Sequence, residues 1–344
     1  MGSAVHMRQR GSTSHVVRSV GLLVAIGVLA FVFLLSLWIG SRTIPFSSTW
    51  QVLLHNDGST EAVIIHDLRI PRALLGLLVG SALGLAGALM QALTRNPLAD
   101  PGLLGVEMGA SAAVVVAIAF TGVSTVTGYI WFAFAGAAAA SVVVYVLGSA
   151  GRSAATPERL VLAGAAITAV LVAFVSAVLV LDAEAFNAFR FWNVGALAGR
   201  KMDAVAQVAP FILAGVALAL GLARSLNVLA LGDQTGKALG ANLGRTRLIG
   251  ALAVTLLCGA ATAAAGPIAF IGLTIPHVAR MIAGSDQRWV LPYSLVLAPI
   301  LLIGADIVGR VIIAPAEMQV GIVTAFIGAP VFIALCRRRK LAEL

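Results

Sequence analysis

The feature that most constrains this chain is the length of its uninterrupted apolar runs. About ten recur along it, most of them about 17 to 25 residues long, enough for an α-helix to cross a hydrocarbon core of about 30 Å. The clearest are Val20–Ile39, Ala73–Leu93, Leu103–Phe120, Tyr129–Leu147 and Leu160–Leu181. The second half continues them with Ala204–Ala223, Leu248–Ala265, a shorter Ile268–Ala283, Val290–Ile313 and Val320–Cys336. Charged residues are only 11% of the 344 positions, and the mean hydropathy is +1.01, so the composition is that of a membrane protein rather than of two soluble domains. The apolar residues come in unbroken runs and not in period-2 alternation, which argues for an all-α, polytopic fold and against a membrane barrel.

The charges orient these spans. With ten spans and the amino terminus inside, six segments are cytoplasmic: the leader, the loops near Arg95, Arg152, Lys237 and Arg280, and the tail. Sixteen of the 23 Lys and Arg residues fall in these six and seven fall outside, the asymmetry of the positive-inside rule. Both termini are therefore expected in the cytoplasm. The net charge of +9 follows from that asymmetry and calls for no nucleic-acid partner.

The domain plan is a single transmembrane unit over residues 20–336, flanked by a polar leader (1–19), expected to be in part vector-derived, and a basic tail (337–344). The first run has no small-x-small cleavage site after Ile39, where the sequence reads G-S-R-T, so it is expected to be retained. The two cysteines, Cys258 and Cys336, both lie in apolar runs and imply no disulfide framework.

One polar, glycine-rich island interrupts the second half: "LGDQTGKALGANLGRTR", Leu231 to Arg247. Gly232 to Lys237 superficially follows the phosphate-loop pattern, but only three residues separate Gly232 from Gly236, and Ala238 stands where a Ser or Thr should hold magnesium. No β-branched strand run leads into it. Helix formers cut by Gly236, Gly240 and Gly244 suggest two short helices joined by tight turns at the cytoplasmic surface, a shape suited to docking a soluble partner. A solvated loop whose glycines only make turns is the simpler alternative.

Several ordered stretches resemble the FecCD family of permeases, which serve ATP-binding-cassette importers of iron-siderophore complexes, haem and vitamin B12. They are "RIPRALLGLLVGSALGLAGALMQALTRNPLADPGLLGV" from Arg69, the island itself, "GPIAFIGLTIPHVARMIAGSDQRWVLP" from Gly266, "ADIVGR" from Ala305 and "VGIVTAFIGAPVFIALCRRR" from Val320. The resemblance implies a ten-helix subunit of the vitamin B12 importer type in the bacterial inner membrane. It implies a second homologous or identical permease subunit, two ATPase subunits that use ATP and magnesium, and a periplasmic or lipid-anchored substrate-binding protein. The cargo it implies is a ferric siderophore, with haem or vitamin B12 as the alternatives. The chain itself would be no enzyme and would bind no metal or cofactor of its own.

The resemblance also assigns residues. The segment between the sixth and seventh spans (225–247) would dock the ATPase, through Leu231, Gly232, Ala238, Leu239, Gly240 and Gly244. Arg69, Arg72 and Arg310 would face carboxylates of the binding protein. Read from the residues alone, Arg69 and Arg72 sit beside Pro71 at a helix start, where they can simply snorkel. Asp306 and Arg310, spaced i, i+4, can neutralise each other on one helix face. Asn96 and Leu98 lie in "TRNPLADPGLLG", which two prolines and two glycines bar from continuing either neighbouring helix; the resemblance places them at the cytoplasmic mouth of the path.

Two other function classes fit the sequence less well. An ion-coupled carrier places carboxylates at the bilayer midplane, whereas Asp100, Glu107, Asp182, Asp306 and Glu317 fall near expected span ends. A membrane hydrolase needs a nucleophile–base set or a metal motif, and the sequence offers none. His277, with no H-x-x-H or cysteine partner, reads as a packing histidine.

Overall fold

A computed structural model describes residues 15–55, 57–123, 125–149 and 157–337. The leader up to residue 14, the segment around Arg152 and the tail beyond residue 337 lie outside the described residues. Every regular element among those described is helical. In order they are α1 (His15–Trp38), α2 (Phe46–Leu54), α3 (Thr60–Val63), α4 (Ile70–Thr94), α5 (Val106–Thr121), α6 (Val126–Ser149), α7 (Pro157–Leu181) and α8 (Ala183–Asn193). Then follow α9 (Met202–Gly221), α10 (Ala223–Ala230), α11 (Asp233–Ala238), α12 (Leu243–Ala265), α13 (Ile271–Ala283), α14 (Gln287–Val311) and α15 (Val320–Arg337).

Each of the ten expected spans has its helix. Seven helices are long and apolar enough to cross a membrane, and α5, α13 and α15 are shorter apolar helices. At about 1.5 Å per residue the 13 residues of α13 reach only about 20 Å. The stretch Gly266–Phe270 ahead of it is irregular, with Phe270 in the left-handed region (φ 71°), so the eighth span starts as a helix at Ile271 and not at Ile268. The third span also starts late, at Val106, because Pro101–Leu104 is a 3₁₀ turn capped by Asp100 and ended by Gly105 at φ 70°.

Helix α4 is the hub. It packs against α14, α12, α13 and α9, and 78% of its apolar window is buried, against 17% for α1 and 11% for α7. The small residues of "GSALGLAGA" explain the close approach. A methyl group at Gly80 would overlap the backbone of Pro299, and one at Gly87 would overlap the carbonyl of Gly272. Gly109 of α5 and Gly136 of α6 make the same mutual contact.

Pro71 stands at the start of α4, as expected, but the helix does not begin there afresh. The chain is helical without a break from Thr60 to Thr94, and a π-helical turn, Ile64–Arg69, precedes the proline. In a regular α-helix the Pro71 ring would strike the carbonyl of Asp67; the wider turn, with Ile70 N–H donating to Ile65 O, moves that carbonyl aside.

Candidate functional site

Polar side chains gather at the two ends of the bundle. At the end where α1 finishes, Asp306 of α14 is 1% exposed and accepts from two arginines. Arg72 reaches it with Nε (2.9 Å to Oδ2) and Nη2 (2.8 Å to Oδ1). Arg310, one turn along α14, donates Nε at 3.0 Å and also Nη2 to the same Oδ2. Arg310 Nη1 donates to the carbonyls of Ser36 (2.8 Å) and Ile39 (3.1 Å). Arg69 donates to carbonyls as well: its Nη1 to Leu37 O at 2.9 Å and to Trp38 O, and its Nη2 to Arg42 O at 2.7 Å.

Those carbonyls belong to the last turn of α1 and the residues just after it, where a helix leaves its C=O groups without donors of its own and carries partial negative charge. Arg69 and Arg310 together therefore cap α1. At the other end of α1, the Tyr293 hydroxyl donates to Arg18 O at 2.8 Å. A helix with little buried surface is thus fixed by polar clamps at both ends.

The three arginines expected to face the binding protein, Arg69, Arg72 and Arg310, are thus engaged within the chain. Arg69 is 5% exposed and Arg310 1%, because α1 carbonyls and Asp306 offer partners that an isolated buried guanidinium would otherwise lack at a cost of several kcal/mol. Only the rim of the network opens outward: Glu317, whose side chain is 30% exposed, takes Arg72 Nη1 at 2.5 Å and the Ser41 hydroxyl at 2.8 Å. Burial works to raise the Glu317 carboxyl, and its bonds to Arg72 and Ser41 outweigh it, leaving the group below the usual glutamate range. Beside it lies a recess of about 280 Å³ lined by Arg42, Arg69, Arg72, Gly199, Arg310 and Glu317.

At the opposite end the glycine-rich island forms one short helix, α11, and the first turn of α12, rather than the two short helices expected; the short α10 precedes it, and the breaks are elsewhere. Gly232 (φ 94°) and Gly240 (φ 78°) make the turns, whereas Gly236 lies inside α11 against Leu243 and Gly244 in the first turn of α12. Of the six residues expected to dock, Leu231 (58%), Ala238, Leu239 (63%), Gly240 and Gly244 are exposed and Gly232 is half-buried.

Asp233, at the start of α11, ties this segment to its surroundings. Its carboxylate accepts Arg247 Nη2 at 2.8 Å and lies 3.4 Å from Arg95 Nη2. The Arg247 bond is the main reason its acidity is strengthened below the usual aspartate range, with Arg95 adding to it. Arg95 is the left-handed C-cap of α4 (φ 52°) and is followed at once by Asn96 and Leu98. Asn96 Oδ1 accepts from Leu98 N–H at 2.9 Å, and Leu98 is exposed. A second tie joins α10 to α14: Asn227 donates to Asp286 at 2.7 Å and accepts from Gln287 N–H at 2.8 Å. The structure thus brings the expected docking segment and the expected mouth residues Asn96 and Leu98 to one end, through Arg95. Sequence reasoning missed Asp233, Arg247 and Asn227, whose partners lie 14 or more positions away.

A bundle of apolar helices around a glycine-lined hub, with a helical surface segment at one end, defines a polytopic membrane protein. The comparisons narrow that class. A family model described as the FecCD transport family matches residues 28–338, and the chain belongs to that family. It is 51% identical over 306 residues to the ferric enterobactin transport system permease protein FepD of Escherichia coli, covering 89% of this chain and 91% of that protein. It is 41% identical to the Fe(3+)-citrate import system permease protein YfmD of Bacillus subtilis, covering 97% and 98%. Among solved structures it resembles a metal-chelate type ABC transporter in an inward-facing conformation, with TM-score 0.82 and 26% identity over 93% of this chain and 99% of the other.

Proposed function

We propose that this chain is the membrane-spanning subunit of an ATP-binding-cassette importer that carries a ferric siderophore across the bacterial inner membrane. The observation that carries the reading is the family match across residues 28–338, together with relatives whose names specify ferric enterobactin and other ferric chelates. The end bearing α10 and α11 faces the cytoplasm, where two ATPase subunits dock and use ATP with magnesium. The opposite end receives a periplasmic or lipid-anchored binding protein. A second permease subunit, identical or homologous, completes the path; the apolar groove of about 570 Å³ along α15, lined by Gly321, Ala325, Phe326 and Ala329, supports a helix-packing partner.

The geometry suits a subunit that is driven from outside. Leu231, Ala238 and Leu239 offer an exposed apolar face to a docked ATPase. A displacement of α11 passes through Asp233 to Arg95, and so to the loop carrying Asn96 and Leu98. An ion-coupled carrier is disfavoured, because the family match spans residues 28–338 and the relatives are named as permeases of ferric-chelate transport systems. The test is copurification. Coexpressed with the ATPase and the second permease, the chain retains the ATPase in detergent and restores ferric-siderophore uptake to a strain lacking the permease; retention of no ATPase and no uptake would reject the reading.

A further inference from the structure

Helix α2 lies outside the bundle and has no charged residue in its nine positions, FSSTWQVLL. One face is built in: Thr49 and Val52 are buried, Val52 in a small cluster with Ile44, Ala62 and Ile65. The other face is exposed and carries a line of large apolar residues, flanked by Ser47 and Gln51. Phe46 is 62% exposed, Trp50 46% and Leu54 67%, at i, i+4 and i+8, so they form one stripe. The stripe continues an aromatic ladder from α1: Trp38, its last residue and also exposed, meets Phe46 edge-on at 5.5 Å, and Phe46 stacks on Trp50 at 6.4 Å.

The ladder is continuous with the outward surface of α1. That surface carries the exposed Leu23, Phe31 and Leu34, and little of α1 is buried within the chain, as for a helix whose outer face meets lipid. Trp38 therefore lies where α1 leaves the hydrocarbon, the level at which aromatic side chains gather. An uncharged helix with an aromatic stripe at that level has the character of an interfacial helix lying in the plane of the membrane.

We infer that α2 is an interfacial anchor whose Phe46–Trp50–Leu54 face is buried in the headgroup and acyl boundary of the outer leaflet. The inference rests on the membrane reading above and adds a lipid contact by a segment that spans nothing. It also accounts for the missing charge: a helix meeting water would gain from charged residues on its open face, and this one has none.

The test uses the full chain in nanodiscs of ordinary or brominated phosphatidylcholine, comparing wild type with Trp50→Phe. The difference in tryptophan emission reports Trp50 alone, and the substitution removes only an exposed ring. The Trp50 contribution is expected to fall by about half or more in brominated lipid, as for rings at the acyl boundary, and to resist aqueous iodide. Sensitivity to iodide with none to bromine would put α2 in water, and protection from both would mean that protein covers it; either overturns the inference. A Phe31→Trp variant provides the separate check on the membrane reading. Quenching of the indole introduced by Phe31→Trp, without quenching of Trp50, rejects the anchor alone, and no quenching at either position rejects both.

Discussion

Asp306 shows how a buried carboxylate near a span end is satisfied: both its oxygens accept from guanidinium groups of Arg72 and Arg310. Replacing it with Asn removes the full negative charge that Arg72 and Arg310 share. The expected cost is about 3 to 5 kcal/mol, as for breaking other buried pairs, read as a lower midpoint of thermal unfolding in detergent. An unchanged midpoint would show that the arginines relax to water. Arg69→Glu should act the same way, since a carboxylate cannot donate to the α1 carbonyls and would face them with like charge. Glu317, at the rim, gives a pH dependence of defined sign. Its folded pKa lies below its unfolded one, so its contribution is present above about pH 4.3 and lost as pH falls through the lower folded value. The stability difference between wild type and Glu317→Gln should be constant from neutral pH to about pH 5 and vanish in stronger acid; a difference that grows on acidification would contradict the assignment.

At the scale of elements, the spans were legible because a helix crossing about 30 Å of hydrocarbon must be written as one long apolar run. What was not legible has a common cause. Arg72 and Asp306 are 234 positions apart, and no periodicity links them, so the cap that Arg69 and Arg310 place on α1 could not be read from spacing. The π turn before Pro71 and the non-helical Gly266–Phe270 stretch replace regular helix with irregular backbone inside apolar sequence, which a length rule cannot see. In the docking segment, Gly240 is exposed with open space around it, but its φ of 78° penalises any side chain, by about 1 to 2 kcal/mol for a left-handed non-glycine residue. A bulky residue there would therefore confuse strain with lost docking. Leu239→Glu, on the helical side of that turn and well exposed, is the cleaner probe: it should insert and fold normally while losing ATPase copurification. Retention of a full complement of ATPase would remove Leu239 from the docking face. Asp233→Asn should behave differently, keeping the ATPase bound but lowering the uptake obtained per ATP hydrolysed, because the tie to Arg95 is weakened. Equal uptake per ATP in variant and wild type would show that motion travels by another route.

For the molecule as a whole, the distribution of burial describes a unit made to be completed by others. α4, α12 and α14 form a packed centre, while α1 and α7 show lipid or a partner most of their surface. The asymmetry of the basic residues and the position of α10 and α11 put the proposed energy input at one end and the proposed substrate entry at the other. The central claim is that transport by this chain is powered through that docked ATPase and not by an ion gradient. The most direct measurement is uptake of a ferric siderophore by proteoliposomes holding the chain, its permease partner and the ATPase, with loaded binding protein on the side opposite the ATPase. The account predicts uptake that requires hydrolysable ATP on the ATPase side and is unchanged when ionophores collapse every ion gradient. Uptake by the chain without ATPase, abolished by the ionophores, would contradict it.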